Sequence, residues 1–332
     1  MAATIHDVAD CAGVSLSTVS YVLSGKRPIS DATRLRVEAA IAELGYVRHA
    51  GAHSIRSRKT NVIALVMPLD AGQDATVQMP LVATILSAAR TQGFNVLLLT
   101  ADDDLESIVG SSMVDGAIVM EVRMRDARIP ALRKLARPTV LIGSALDVRG
   151  LTVVDMDLEG DIELCVGRLA DLGHTRIGYV GHPEVLYERE ANFAVRSRRA
   201  FEAACRRHGI EGVATTCERT EAGASEALER LLGGPEPVTG LVIYNESALG
   251  LVLAELRARE IGVPDHVSVV AVCPEEQATR YEKQLTCVPV LVDQLGERAV
   301  RLLMDKVAGM QDVAMTVTSH LVEGETTAPP PA

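Results

Sequence analysis

Between Gly13 and Ser30 the chain reads GVSLSTVSYVLSGKRPIS, a run rich in hydroxyls and free of carboxylates. At helical spacing Leu16, Ser17, Ser20 and Tyr21 fall on one side, while Val19, Val22 and Leu23 fall on the other. The inner three suit a small core. The outer four combine short hydroxyls and a phenol, which both donate and accept hydrogen bonds. A helix face meant for water would carry Glu and Lys; this one has the chemistry of a surface that meets another polar surface. Catalytic chemistry needs other constellations. The sequence has no G-x-S-x-G, H-E-x-x-H or G-x-G-x-x-G. The run SGKR is not a phosphate loop, because Ser20 stands where the first glycine is required and Arg27 follows the lysine. His174 is a lone histidine before an apolar run, and Gly143-Ser144 reads as a strand end. The six cysteines are scattered with no C-x-x-C pair and no zinc spacing, so they read as free thiols of a reducing compartment. Neither a metal nor another cofactor is expected, and no enzymatic activity.

Three helices position the hydroxyl-rich face. Thr4 and Asp7 make a capping-box start for a short helix whose Ile5, Val8, Ala9 and Ala12 share a stripe. Gly13 permits a turn, and Ser15 caps a second helix running to about Ser24. Ser30 and Asp31 open a third, with Val37, Ala40, Ile41 and Leu44 on one side and a stop at Gly45. Two short helices about a glycine turn, braced by a third, make a helix-turn-helix, whose second helix enters the DNA major groove. Charge agrees with that reading. The net charge is −11, yet residues 1–60 carry +3 and the remainder −14. A basic head on an acidic body fits a chain that touches a polyanion with its head alone.

The segment TIHDVADCAGVSLSTVSYVLSGKRPISDATRLRVEAAIAELGY resembles, without a gap, the DNA-binding headpiece of the LacI/GalR family of bacterial transcriptional repressors. The resemblance implies that Leu16, Ser17 and Tyr21 read bases. It also implies that Thr4, Ser15, Thr18, Ser24, Thr33 and Arg34 lie near phosphates. An arginine is common in the family at the position of Tyr21. The following YVRHAGAHSIRSRKTN matches the family's hinge, a short helix that orders on DNA. His49, Ala52 and Ile55 are its implied minor-groove residues, with Ile55 where a leucine usually wedges between bases. Arg48-His49 replaces the Pro-Asn often found there. The headpiece is thus expected over residues 1–46 and the hinge over 47–60.

From Asn61 onward apolar runs such as NVIALVMP, FNVLLLT, DGAIVM, PTVLIG, RIGYVG, GLVIYN and VSVVAV alternate with helical stretches. Those stretches include Pro80–Gln92, Leu158–Leu172, Ser247–Arg259 and Gln294–Val307. This pattern predicts parallel sheets covered on both faces, in two doubly wound lobes with a ligand cleft at the carboxyl ends of strands. The expected fold is therefore a small all-α helix-turn-helix domain followed by a two-lobed α/β domain over residues 61–322. The words VDGAIVM, DMDLEGDIELCVGRLADLGHTRIGYVG and VPDHVSVVAV make that body similar to the family's effector domain, itself like periplasmic sugar-binding proteins. The resemblance implies lobe crossovers near 157–160, 288–290 and 316–319. It also implies effector contacts at Asn245 and Glu246, although the family's usual following Asp is here Glu246. Cys273 replaces a carboxylate that grips sugar hydroxyls, and Arg196 and Arg198 flank the family's ligand-arginine position at Ser197. Tyr187, Phe193, Tyr244 and Tyr281 are the rings available for stacking. Residues 323–332, ending TAPPPA, are expected to be disordered, and no heptad tail for tetramerisation is visible.

The expected function is a ligand-responsive repressor, binding a near-palindromic double-stranded operator as a homodimer and released or tightened by a small metabolite, a carbohydrate or related compound, with an anionic metabolite or a lost effector as the alternatives. The start MAATIHDVAD lacks a secretory pattern and no apolar run reaches membrane length, so the expected location is the cytoplasm, away from membranes. The alternatives are a solute-binding protein with a vestigial head and a sugar-modifying enzyme. The missing signal and the missing catalytic motifs disfavour them in turn.

Overall fold

The computed structural model describes residues 3–23, 27–46, 59–69, 78–100, 105–111, 113–135 and 137–331, together with the helical backbone at 24 and 75–77. The chain divides into two compact units, residues 1–60 and 61–332.

In the first unit, α1 (Ile5–Ala12), α2 (Leu16–Ser24) and α3 (Asp31–Leu44) enclose Val8, Ala9, Ala12, Val19, Val37 and Ala40. Local chemistry fixes the ends of α1. Thr4 and Asp7 form the reciprocal capping box, and Gly13 takes a left-handed conformation (φ 62°) that closes the helix. Ser30 caps α3, which stops at Gly45 (φ 58°). A six-residue core is small, so these caps carry a large share of the definition of the unit.

The second unit holds two parallel sheets. The first takes β1 (Val62–Val66), β2 (Asn95–Leu99), β3 (Gly116–Val119), β4 (Thr139–Ile142), β5 (Thr152–Met156) and β11 (Ala314–Val317), in the order β11-β5-β4-β3-β1-β2. The second takes β6 (Arg176–Gly181), β7 (Glu211–Thr216), β8 (Gly240–Ile243), β9 (Ser268–Cys273) and β10 (Thr286–Pro289), in the order β10-β9-β8-β6-β7. The helices of this unit are α4 (Ala75–Thr91), α5 (Leu105–Gly110), α6 (Ile129–Lys134), α7 (Leu158–Asp171), α8 (Glu184–Glu188), α9 (Asn192–His208), α10 (Glu221–Leu232), α11 (Glu246–Ala258), α12 (Glu275–Ala278) and α13 (Val292–Val307) among the described residues. Strands such as β3, β4, β8 and β9 are buried at every residue, because helices lie on both faces. Their apolar runs made them legible in sequence. The strands β5 (TVVDM), β7 (EGVATT), β10 (TCVP) and β11 (AMTV) have no comparable apolar run.

The chain passes between sheets three times: from β5 into α7, from β10 into α13, and from β11 toward Val322, which bridges to Cys287. The three passages are tied to one another. Asp157 N–H donates to the Val317 carbonyl at 3.0 Å, and the Ser319 hydroxyl donates to the Pro289 carbonyl at 2.8 Å.

The tail corrects an expectation. Residues 323–331 are ordered against the second lobe, and Thr326 is buried. Its hydroxyl donates to the Val269 carbonyl at 2.7 Å and accepts from Thr286 N–H at 2.9 Å. Ala328 exchanges two hydrogen bonds with Ser268, and its carbonyl also meets His174 Nε2 at 3.0 Å. Apolar periodicity could not forecast this, because the segment is held by backbone and hydroxyl groups that lace the starts of β9 and β10.

Candidate functional site

On the first unit the candidate interface is the start of α2. Leu16 and Ser17 are exposed there, and Tyr21 is half-buried one turn on. Ser15 Oγ accepts from Thr18 N–H at 3.2 Å and lies 2.8 Å from both Ser17 Oγ and Thr18 Oγ1. The three hydroxyls thus form one chain of hydrogen bonds at a helix start, where the dipole favours an anion. Thr4 and Ser30 sit at the starts of the other two helices. Thr4 is engaged by the Asp7 carboxylate, whose pKa those bonds hold below the usual range. Ser30 Oγ donates to Thr33 Oγ1 at 2.9 Å, and Arg34 beside them is exposed. A residue that sequence reasoning missed completes the face: the Arg27 guanidinium lies 5.4 Å from the centre of the Tyr21 ring. Stacking of this kind orients a phenol and adds a cation beside it. No sequence period links positions six apart across a helix end, so the pair was not legible. The side chain of Ser24 and the hinge residues His49, Ala52 and Ile55 lie outside the described residues.

In the second unit the carboxyl ends of strands from both sheets converge on a cleft. Met120–Val122 follow β3, Ile142–Gly143 end β4, Asp155–Met156 end β5, His182 follows β6 and Tyr244–Asn245 follow β8. Strand order reverses around β1 in one sheet and around β6 in the other, which opens a crevice above each. One rim is stitched shut. Arg123 and Ala191 form an antiparallel bridge, Met124 N–H donates to the Glu190 carbonyl at 2.8 Å, and Asn192 N–H donates to the Val122 carbonyl at 3.2 Å. Asn192 also donates through its side chain to the Ser144 carbonyl. His182 is buried against Phe193 and Tyr244, each ring centre 4.9 Å away and edge-on. Burial pushes its pKa down to about 3, so the imidazole is neutral at ordinary pH.

The family profile described as "Bacterial regulatory proteins, lacI family" matches residues 4–49, and that described as "Periplasmic binding protein-like domain" matches 166–327. The maltose regulon regulatory protein MalI of Escherichia coli (strain K12) is 30% identical over 326 residues, which span 92% of each chain. The chain belongs to the LacI family. Among solved structures, a transcriptional regulator CelR–cellobiose complex aligns with TM-score 0.70 at 26% identity, covering 98% of this chain and all of that one. A lac repressor dimer bound to operator and the anti-inducer ONPF has the same fold, with TM-score 0.84 at 22% identity over 99% of this chain and all of that one. This LacI-family protein is a DNA-binding transcriptional regulator, and none of its described helices is long and apolar enough to cross a membrane.

The effector residues expected from the LacI-family resemblance fare unevenly. Asn245 borders the cleft, but its amide is occupied. It donates to the carbonyls of Gly181 and Cys217, both at 2.9 Å, and its oxygen caps α11 by accepting from Ala248 N–H. A strand-end amide next to a helix start satisfies the backbone first. Glu246 does line the cleft. Cys273 does not: it lies in the core against Cys287, and the hydrogen bond with that thiol, with burial, drives its pKa up. Arg196 and Arg198 also stay out of the cleft. Arg196 joins the lobes, binding the Asp155 carboxylate of β5 and, at 2.7 Å, Glu159. Burial raises the pKa of Asp155 in spite of that guanidinium. Arg198 lies 5.5 Å over the Tyr187 ring and 3.6 Å from Glu202. Of the four rings considered, Phe193 and Tyr244 line the cleft. His182, Gln78 and Asn192 line it too and were not anticipated. His182 follows β6, Asn192 opens α9 and Gln78 lies in the first turn of α4, and contact across sheets leaves no pattern along the chain.

Proposed function

We propose that this LacI-family chain is a dimeric, ligand-responsive repressor that binds a near-palindromic operator and changes its grip when a small molecule enters the cleft. The observation that carries the reading is the pairing of two sites. A carboxylate-free helix face meets DNA, and a cleft at converging strand ends, spanned by three tied crossovers, meets the ligand. Leu16, Ser17 and Tyr21 face base edges, with Ser15, Thr18, Thr33 and Arg34 at phosphates. One short headpiece contacts few base pairs, so a twofold pair of heads supplies the affinity. The relatives agree in kind: the names of MalI and of the CelR–cellobiose complex connect a maltose regulon and a disaccharide with such chains. The protein acts in the cytoplasm and performs no catalysis. Ligand in the cleft changes the angle between lobes only if it binds one lobe arrangement more tightly than the other. Selection of bound duplexes from random DNA tests the reading. A symmetric motif with two half-sites supports it; the absence of any enriched sequence overturns it.

A further inference from the structure

We propose that the cleft is built for a small uncharged ring compound, apolar over most of its surface and carrying one hydrogen-bonding group toward each lobe, with resorcinol as a simple form, and that a free sugar does not satisfy it. The proposal rests on the reading of the cleft as the effector site and names the ligand class that site takes.

Three observations carry it. First, the lining is apolar from both lobes, with Leu81, Met120 and Ile142 facing Leu158, Leu186 and Val290. A hexose has hydroxyls over its whole perimeter, and most of them would lose water here without finding a partner. Second, the protein has already used most of the cleft's polar groups. Asn245 and Asn192 donate to backbone carbonyls, Asp155 is held by Arg196, and Gln78 Nε2 donates to Glu121 at 2.7 Å. Two buried polar atoms of the lining have no partner: Gln78 Oε1 from the first lobe and His182 Nε2 from the second. They ask for two hydrogen bonds, one per lobe, where a sugar brings many. Third, the cavity volume is about 190 Å³, close to the ~150 Å³ of apolar cavities that hold one benzene. The edge-on rings of Phe193 and Tyr244 about His182 make an aromatic corner for a single ring.

The lining carries one cation, Arg219, against three carboxylates, Glu121, Asp155 and Glu246, so the cleft as a whole disfavours an anionic ligand. His182 is neutral, so it offers no counter-charge to a carboxylate. The cleft also opens, past Glu246 and Ser247, into a groove where Glu275, Glu276 and Asp293 outnumber Arg280, which adds to the acidic balance.

The test is calorimetry on the full chain with resorcinol, toluene, glucose, ribose and cellobiose. We expect resorcinol to bind most tightly, toluene weakly, and the three sugars not at all. His182→Phe keeps a ring in the aromatic corner but removes the nitrogen, and Gln78→Leu removes the second partner. Each should weaken resorcinol about tenfold, the usual scale of one hydrogen bond, and leave toluene within about twofold. Tighter binding of any of the sugars than of resorcinol overturns the proposal. So does no binding of resorcinol, or its unchanged affinity in both variants. Release from selected operator DNA, measured in parallel, separates this claim from the one beneath it. Resorcinol that binds without changing DNA affinity upholds the ligand class and overturns the effector role; release by a sugar alone does the reverse.

Discussion

Tyr21 and Arg27 show how one contact changes the meaning of a residue. Tyr21 lies on the hydroxyl-rich face of α2, and the guanidinium of Arg27 lies over its ring. The contact couples phenol and cation, so they are expected to act as a unit. Tyr21→Ala combined with Ser17→Ala should broaden base preference, because each good base contact is worth about 1–3 kcal/mol of discrimination. Selection from random duplexes reads this directly, and an unchanged motif would place the reading face elsewhere. Asn245 teaches the converse. Its three hydrogen bonds make it a structural clamp between β6, β7 and α11. Asn245→Ala should therefore lower stability by about 2–4 kcal/mol, through a lost cap and unpaired carbonyls, in urea unfolding of the full chain. Loss of ligand response with stability intact would contradict that role.

At the scale of elements, the first turns of α7 and the ordered tail decide how the lobes are held. Asp161 is buried in α7 close to the crossovers, and burial with the nearby Asp157 raises its pKa to about 7 from 3.8. An acid whose pKa is raised on folding favours the fold fully below the unfolded value, and that contribution is lost as pH rises through the folded value. Asp161→Asn should consequently match wild type near pH 4, gain on it by a few kcal/mol at most between about pH 4 and 7, and keep a constant advantage above that. Thermal unfolding across that range checks the sign, and a variant equally destabilised at all pH values would refute it. For the tail, Thr326→Val leaves Thr286 N–H and the Val269 carbonyl without their partner. The expected loss is about 1–3 kcal/mol, read as a lower urea midpoint with unchanged slope.

For the whole molecule the governing quantity is the contrast between a head of +3 and a body of −14. The body repels DNA, so affinity rests on the cations and helix starts of the head. Operator affinity should fall steeply with salt, with log K dropping by roughly 0.9 per phosphate neutralised for each tenfold rise. Lys59→Ala should reduce that slope and weaken all sequences about equally, as a phosphate contact does. A salt-independent affinity between about 50 and 200 mM salt would be incompatible with this division of charge.

The sequence by itself determined the periodic features. The caps at Thr4 and Ser30, the stop at Gly45, the hydroxyl face of α2 and the apolar strands β1, β3, β4, β8 and β9 are local, because each rests on residues within a turn or along one strand. Short-range hydrogen bonding and burial on two faces leave a fixed spacing in the chain. Tertiary structure decided the rest. It set Arg27 over Tyr21, turned Arg196 to Asp155 instead of the cleft, spent the amide of Asn245 on two carbonyls, and ordered a proline-rich tail against β9 and β10. It also brought His182 and Gln78 to one cavity from opposite lobes. Each of these is a contest among partners distant in sequence, settled by which polar group lies nearest once the sheets are packed, and spacing along a chain carries no record of that distance.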